Sequence, residues 1–413
     1  MGHIESTTRQ WAMSSGSSIR QGPLALFLIG FVTFALLYAV QPLMPVFARE
    51  FHTSAAGSAL ALSMSTGLLA VSILASSLVA RRFERRRLMI SAILLATVLN
   101  ALSVICTDWW QVLLCRALLG VFLGAVPATA MAYLGDTVEP SRLAKTMGLY
   151  VAGTAMGGMS GRVGIALVAD LFGWRTALLG MSVLCLLAAL GIALMMLGQS
   201  PRSTPVTPPR QMPLAPWHDV LFHPTLPKLF LCGGIASGIF VTAYNYAGFH
   251  LLSAPFALRP AQVGLIFSCY LFGVASSSLS GRLVDAWGSA RVLTGSCATT
   301  AIGLAITQTS QLPAFILGLC LMTAGFFAMH AVCSGLVGKV AGPRKAQATS
   351  LYLLAYYVGS SVLGYAGGWL WDHGGWPVLS IGLLATLALF MWLVHAMAQQ
   401  PDAPLASAPR AAS

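Results

Sequence analysis

Charge is what this sequence has least of. Lys, Arg, Asp and Glu make up 8% of its 413 residues, against roughly 25% in an ordinary soluble domain. With 57% of the chain hydrophobic, a water-soluble fold is excluded. Negative charge is the scarcer sign: Glu5, Glu50, Glu84, Asp108, Asp136, Glu139, Asp170, Asp219, Asp285, Asp372 and Asp402 each fall in a tail, a loop or the end of an apolar run. No carboxylate stands at mid-depth to hold a cation, which disfavours a cation-selective pump. No G-x-x-x-x-G-K-[ST] occurs, so a nucleotide-driven machine is not indicated. No catalytic dyad or sizeable polar domain is visible, and an enzyme is not expected. The eight cysteines show neither CxxC nor zinc spacing and read as small packing residues. The start "MGHIES" lacks the pattern of a secretory signal; it formally fits a myristoylation site, and Met13 is an alternative first residue.

What fills the chain is apolar runs of about 18 to 25 residues, the length a helix needs to cross hydrocarbon. They lie at about 24–46, 57–80, 88–106, 110–134, 144–168, 176–197, 228–251, 262–283, 290–308, 313–337, 347–370 and 377–397. Runs this long fit helices rather than the short alternating strands of a barrel. The expected fold is an all-α membrane protein of twelve transmembrane helices in two pseudo-symmetric six-helix bundles. A cytoplasmic tail (1–23) precedes the first bundle (24–197), a proline-rich linker (198–227) precedes the second (228–397), and a tail (398–413) closes the chain. Among Lys and Arg, only Arg49, Arg175 and Arg259 fall in loops opposite the tails, while Arg116 and Arg162 lie within runs. The rest gather on the tails' side, which predicts that both termini are cytoplasmic and explains the net charge of +12 without nucleic acid.

The halves repeat. A shift of 202 positions lays Leu149, Tyr150, Gly157, Asp170, Gly173 and Trp174 on Leu351, Tyr352, Gly359, Asp372, Gly375 and Trp376. Bundles repeated about an axis along the membrane normal place a solute site between the halves near mid-depth. The loop "GRLVDAWGSAR" (281–291) carries Gly281, Leu283, Asp285, Gly288 and Arg291 where the major facilitator superfamily has its signature loop. Its counterpart "SLVARRFERRR" (77–87) keeps only the basic end, with Arg82 beside Arg81. The fourth run, "RALLGVFLG" (116–124), is similar to the family's R-x-x-x-G-x-x-x-G motif. "GLYVAGTAMGGMSGR" (148–162) resembles its antiporter motif on span five, with Gly158 and Arg162 where the pattern has Pro and Gly. With "FALLYAVQPLMPVF", "FFAMHAV" and "SLYLLAYYVGSS", nearly the whole chain outside tails and linker resembles that superfamily's drug:proton antiporter-like members, and most closely the YnfM-type bacterial inner-membrane transporters. The resemblance implies an inner-membrane carrier exporting a small solute in exchange for protons.

Gly153, Gly157 and Gly161 recur every four residues, a face for close helix packing that also suits gating. Arg162 either snorkels outward or, with Arg116, forms an electropositive site for a carboxylate or phosphate; Arg116 alternatively pairs with helix carbonyls. Cavity candidates are Tyr38 and Gln41, just before the helix-weakening Pro42 and Pro45, together with Tyr244, Asn245 and Tyr246. His330 titrates near physiological pH when unperturbed and is the candidate for proton coupling, unless it only packs. Tyr150 and Tyr352 form a possible inner gate. Asp285, with Arg82, Gly288 and Arg291, belongs to a cytoplasmic latch in which Asp285 faces the N-terminus of span five; Arg81 has the wrong sign for the mirror contact. The expected function is proton-coupled efflux of a small neutral or anionic organic solute by a monomer in the lipid bilayer, with no cofactor. A uniporter or importer uses the same fold, and a transition-metal carrier is a remote alternative resting on His330, Cys333 and the methionines.

Overall fold

The computed structural model describes residues 24–79, 84–138, 140–197 and 217–399. Among them every regular element is helical. Helix α1 runs over Leu24–Glu50, but not continuously. Its regular part, 24–38, opens at 39–40 and resumes as a tight turn, Gln41–Leu43, and a short helix, Met44–Glu50. Pro42 and Pro45 cause the break, since neither offers an N–H to the preceding turn. Then follow α2 (Ala55–Val79), α3 (Arg85–Leu102), α4 (Trp109–Thr137), α5 (Pro140–Leu197), a short α6 (Trp217–Leu221) and α7 (Leu226–Leu252). After these come α8 (Pro260–Trp287, with a tight turn at Ile266–Cys269), α9 (Ser289–Ile306), α10 (Leu312–Ala341) and α11 (Lys345–Ala398).

Two of these elements are longer than any membrane and contain breaks at repeat-related positions. Gly173 interrupts α5 at φ +81°, and Gly375 interrupts α11 at φ +61°. That left-handed backbone suits a residue without Cβ. The tryptophans that follow occupy matching places: Trp174 stands edge-on to Phe47 at 5.2 Å, and Trp376 lies flat on His250 at 5.3 Å. The sequence repeat is thus a structural one.

Close packing follows the glycines. A methyl on Gly153 or Gly157 would overlap the carbonyl oxygens of Phe27 and Phe31, and one on Gly161 would stand 2.9 Å from the Cα of Ala35. In lipid, where apolar surface gains nothing by leaving one apolar phase for another, such backbone approach is a main source of helix adhesion. The second half makes the same kind of seam between α7 and α11. A methyl on Gly234 would come 2.7 Å from the carbonyl oxygen of Ala355, and one on Gly238 would come 2.9 Å from that of Gly359.

Eight helical stretches among the described residues are long and apolar enough to cross a membrane. The run expected at 290–308 forms α9 but is not one of them, because Arg291 and several Ser and Thr dilute it. Three of its hydroxyls are nevertheless satisfied within the helix: Ser296, Thr299 and Thr300 donate to the carbonyls of Val292, Gly295 and Ser296. That internal bonding keeps a polar stretch compatible with an apolar medium.

The bundle has two ends. At the one opposite Leu24 and Gln399, here called distal, Arg175 bonds to Glu50 and to the carbonyls of Val104 and Cys106. At the proximal end Arg86 donates to the carbonyl of Met196, and Arg344 pairs with Asp219 of α6 at 2.7 Å. The halves touch along the distal part of the bundle. Thr66 of α2 and Ser361 of α11 share a hydrogen bond of 2.7 Å, Arg259 before α8 pairs with Asp170 of α5 at 2.8 Å, and Gly264 of α8 abuts Ala166 of α5.

Candidate solute site

The break in α1 creates the site. It leaves the last carbonyls of the 24–38 helix without their usual partners and turns Gln41 inward, where it is 2% exposed. Two buried arginines meet this break from opposite flanks. Arg116 of α4 gives Nη1 to the carbonyl of Leu36, Nη2 to that of Leu37 and Nε to that of Ala61 in α2. Its cation thereby caps the C-terminus of the first α1 segment, where the helix dipole favours positive charge. Of the two readings open for Arg116, the structure displays the pairing with helix carbonyls.

Arg162 of α5 is 1% exposed and does not snorkel. Its Nε donates to Gln41 Oε1 at 2.5 Å and its Nη1 to the carbonyl of Gly158 at 2.6 Å. The guanidinium lies 3.8 Å from the ring centroid of Tyr38, 4.8 Å from that of Tyr270 and 5.4 Å from that of Phe267. Among the described residues it forms no ion pair. Its charge rests instead on aromatic faces, an attraction of about 2 kcal/mol when desolvated. Gly158 makes this possible. A methyl there would stand 3.1 Å from Nη1, so the guanidinium lies this close along its own helix because residue 158 has no side chain, and an alanine would push it back by a few tenths of an ångström.

Gln41 passes the connection across the halves, its Nε2 donating to Asn245 Oδ1 of α7 at 2.7 Å. Tyr38, Gln41, Arg162 and Asn245 therefore form one cluster drawn from α1, α5 and α7. Tyr270 and Phe267 of α8 complete it and were not singled out in the sequence; an aromatic residue in an apolar run gives no sign of facing a cation. Tyr244 packs against both, 5.2 Å from Tyr270 and 5.4 Å from Phe267, with its hydroxyl bonded to Thr323 of α10.

The remaining candidates lie apart. Tyr246 is fully buried and donates to the carbonyl of Gly364, a tie between α7 and α11. His330 Nδ1 is 2.9 Å from the hydroxyl of Tyr352, and its ring stands 4.8 Å from Tyr356. Tyr352 thus serves the second half internally, while the hydroxyl of Tyr150 is buried without a partner among the described residues. Asp285 is exposed and forms no ion pair among the described residues. Gly288 turns the chain between α8 and α9 at φ +83°, next to the exposed Arg291. Arg81 and Arg82 lie outside the described residues. No group of three or more His, Cys, Asp or Glu among the described residues could hold a metal ion.

The family model described as Major Facilitator Superfamily matches residues 26–255 and 229–412. The chain is 39% identical to the inner membrane transport protein YnfM of Escherichia coli over 373 residues, 89% of this chain and 88% of that protein. It is 37% identical to the uncharacterized MFS-type transporter YybF of Bacillus subtilis, over 93% of this chain and 95% of the relative. Among solved structures, the nucleoside transporter NupG superposes with a TM-score of 0.75 at 12% identity, covering 91% of this chain and 99% of that one.

Proposed function

The chain belongs to the major facilitator superfamily, a multi-pass inner-membrane transporter and not an enzyme, and from that premise we propose that it exports a small anionic organic solute in exchange for protons. The breaks at Gly173 and at Gly374–Gly375 support our reading of twelve crossings in two six-helix bundles, which we take to act as a monomer. The excess of Lys and Arg at the proximal end supports a cytoplasmic location for that end and for both termini.

One observation carries the choice of solute: Arg162 is buried where the two halves meet and has no carboxylate partner among the described residues. A buried cation held only by amide, carbonyl and aromatic groups is short of the counter-charge that an anionic solute brings. The distal cross-half contacts support a closed distal end with the solute arriving from the proximal side. Its carboxylate would compete with Gln41 Oε1 for the guanidinium. Because the same amide holds Asn245, loading Arg162 loosens the tie between α1 and α7, and the halves can then rock to open the distal end. His330, next to Tyr352 and Tyr356, is the group we assign to proton exchange.

The test begins with mass-spectrometric comparison of anions retained by cells with and without the protein, followed by transport of the differing anion in proteoliposomes under an imposed pH gradient. Wild-type protein should move it against its gradient, and His330→Gln should retain downhill exchange while losing the response to pH. A solute difference confined to cations or neutral compounds would overturn the anionic reading; an undiminished pH response in His330→Gln would remove that residue from coupling.

A further inference from the structure

We propose that the solute is a flat aromatic monocarboxylate, its carboxylate held by Arg162 and the Tyr270 hydroxyl and its ring by the aromatic wall of α7, α8, α10 and α11. This deepens the anionic reading above and rests on it. Three observations converge.

The first is charge balance. Among the described membrane-spanning residues, Arg116 and Arg162 are the buried cations, and Arg116 gives its donors to three carbonyls. One cation remains to be balanced, which suits a carboxylate better than a dianionic phosphate.

The second is a donor without an acceptor. The Tyr270 hydroxyl is buried and has no hydrogen-bond partner among the described residues, although its ring lies beside the Arg162 guanidinium. A buried polar group left unpaired is costly, and a carboxylate oxygen reaching Arg162 would satisfy it. Arg162 itself commits Nε and Nη1, two of the five N–H bonds a guanidinium owns.

The third is the composition of the wall that continues from Tyr270. Its ring meets Phe240 at 5.2 Å and Phe327 at 5.9 Å, and Phe240 stacks on Phe326 at 4.0 Å with an interplanar angle of 10°. The series runs on through Tyr356, 6.4 Å from Phe326, to His330. Tyr356, Phe327 and His330 are only half-buried. Rings set edge-to-face and offset along such a wall favour a planar partner over a puckered one of equal area.

The probes are benzoate, cyclohexanecarboxylate and benzamide, titrated calorimetrically into the purified full-length protein in detergent. Benzoate should bind about tenfold more tightly than cyclohexanecarboxylate, and benzamide should not bind. Tyr270→Phe should weaken benzoate about tenfold, the value of one charge-assisted hydrogen bond. Its thermal unfolding should come no earlier than in wild type, since the hydroxyl has no partner among the described residues. Equal binding of the two carboxylates would overturn the aromatic class and leave the anionic reading standing. Equal binding of benzamide and benzoate would overturn both, and failure of benzoate to bind would overturn the aromatic proposal.

Discussion

Arg116 and Arg162 flank the same break in α1, are equally buried, and solve the problem of a charge in an apolar medium differently. Arg116 takes its partners from the backbone: three carbonyls on two helices, fixed in place by the helices that own them. Arg162 takes a single carbonyl, that of Gly158 on its own helix, and one side-chain partner, Gln41, and rests on the faces of Tyr38, Tyr270 and Phe267. Backbone partners cannot leave without unfolding something. An amide oxygen can be exchanged for a carboxylate oxygen by rotating a side chain. The difference teaches that the function of a buried charge is set less by its depth than by whether its partners can be replaced.

The strongest way to break this comparison is to delete each cation in turn. Arg116→Met removes a helix cap and leaves the carbonyls of Leu36 and Leu37 short of a donor, a loss of roughly 1–3 kcal/mol for each, while Ala61 keeps the Ser65 hydroxyl. Arg162→Met removes a cation that the fold does not balance, and should cost roughly 1–2 kcal/mol for the Gln41 acceptor left behind. The expected pattern in detergent-solubilised protein is a large fall in thermal stability for the first. For the second, the expectation is near-native unfolding with transport abolished. A destabilised Arg162→Met beside a native-like, inactive Arg116→Met would reverse the assignment of structural and functional arginine.

A smaller change sharpens it. Gln41→Glu places a carboxylate of the protein's own within reach of Arg162 without altering side-chain length. A permanent ion pair should then occupy the site, with Asn245 rotated so that its amide nitrogen faces the new acceptor. We expect the variant to unfold no earlier than wild type and to lose most of its anion affinity, about tenfold or more for one displaced charged contact. Retained affinity would mean that solute does not compete with residue 41.

Much of this was legible in the sequence, and the residues show where legibility stops. The four-residue spacing of Gly153, Gly157 and Gly161 announces a close seam, because only helix geometry turns that spacing into a face. The prolines at 42 and 45 announce the break in α1, because a missing N–H acts locally. Arg116 and Arg162 are indistinguishable as letters, since what separates them is which atoms of distant helices lie within hydrogen-bonding reach. Tyr270 and Phe267 were invisible for the same reason: in a chain surrounded by lipid, an aromatic ring is equally at home facing acyl chains or a cation. The two departures from the antiporter-like pattern, Gly158 and Arg162, were each visible as separate oddities. Only the fold shows that they are one feature, a guanidinium bonded at 2.6 Å to the carbonyl of the glycine that makes room for it.

That pairing permits the finest test of the comparison. Gly158→Ala adds a methyl group 3.1 Å from Arg162 Nη1, a distance the flexible guanidinium can relieve by moving a few tenths of an ångström. Alanine in a helix is preferred over glycine by about 1 kcal/mol, so the fold should hold or improve. The displaced guanidinium no longer lies as flat on Tyr38 or as close to Gln41, and the anion should be bound less well. We expect KM to rise a few-fold with kcat little changed. Gly164, two residues beyond Arg162 on the same helix, supplies the control, since a methyl there meets nothing within 4 Å. Gly164→Ala should share the gain in helix propensity and leave KM at its wild-type value. If both variants raise KM alike, the effect belongs to the stiffness of α5 and not to the position of the arginine, and Gly158 would lose its place as the residue that lets Arg162 differ from Arg116.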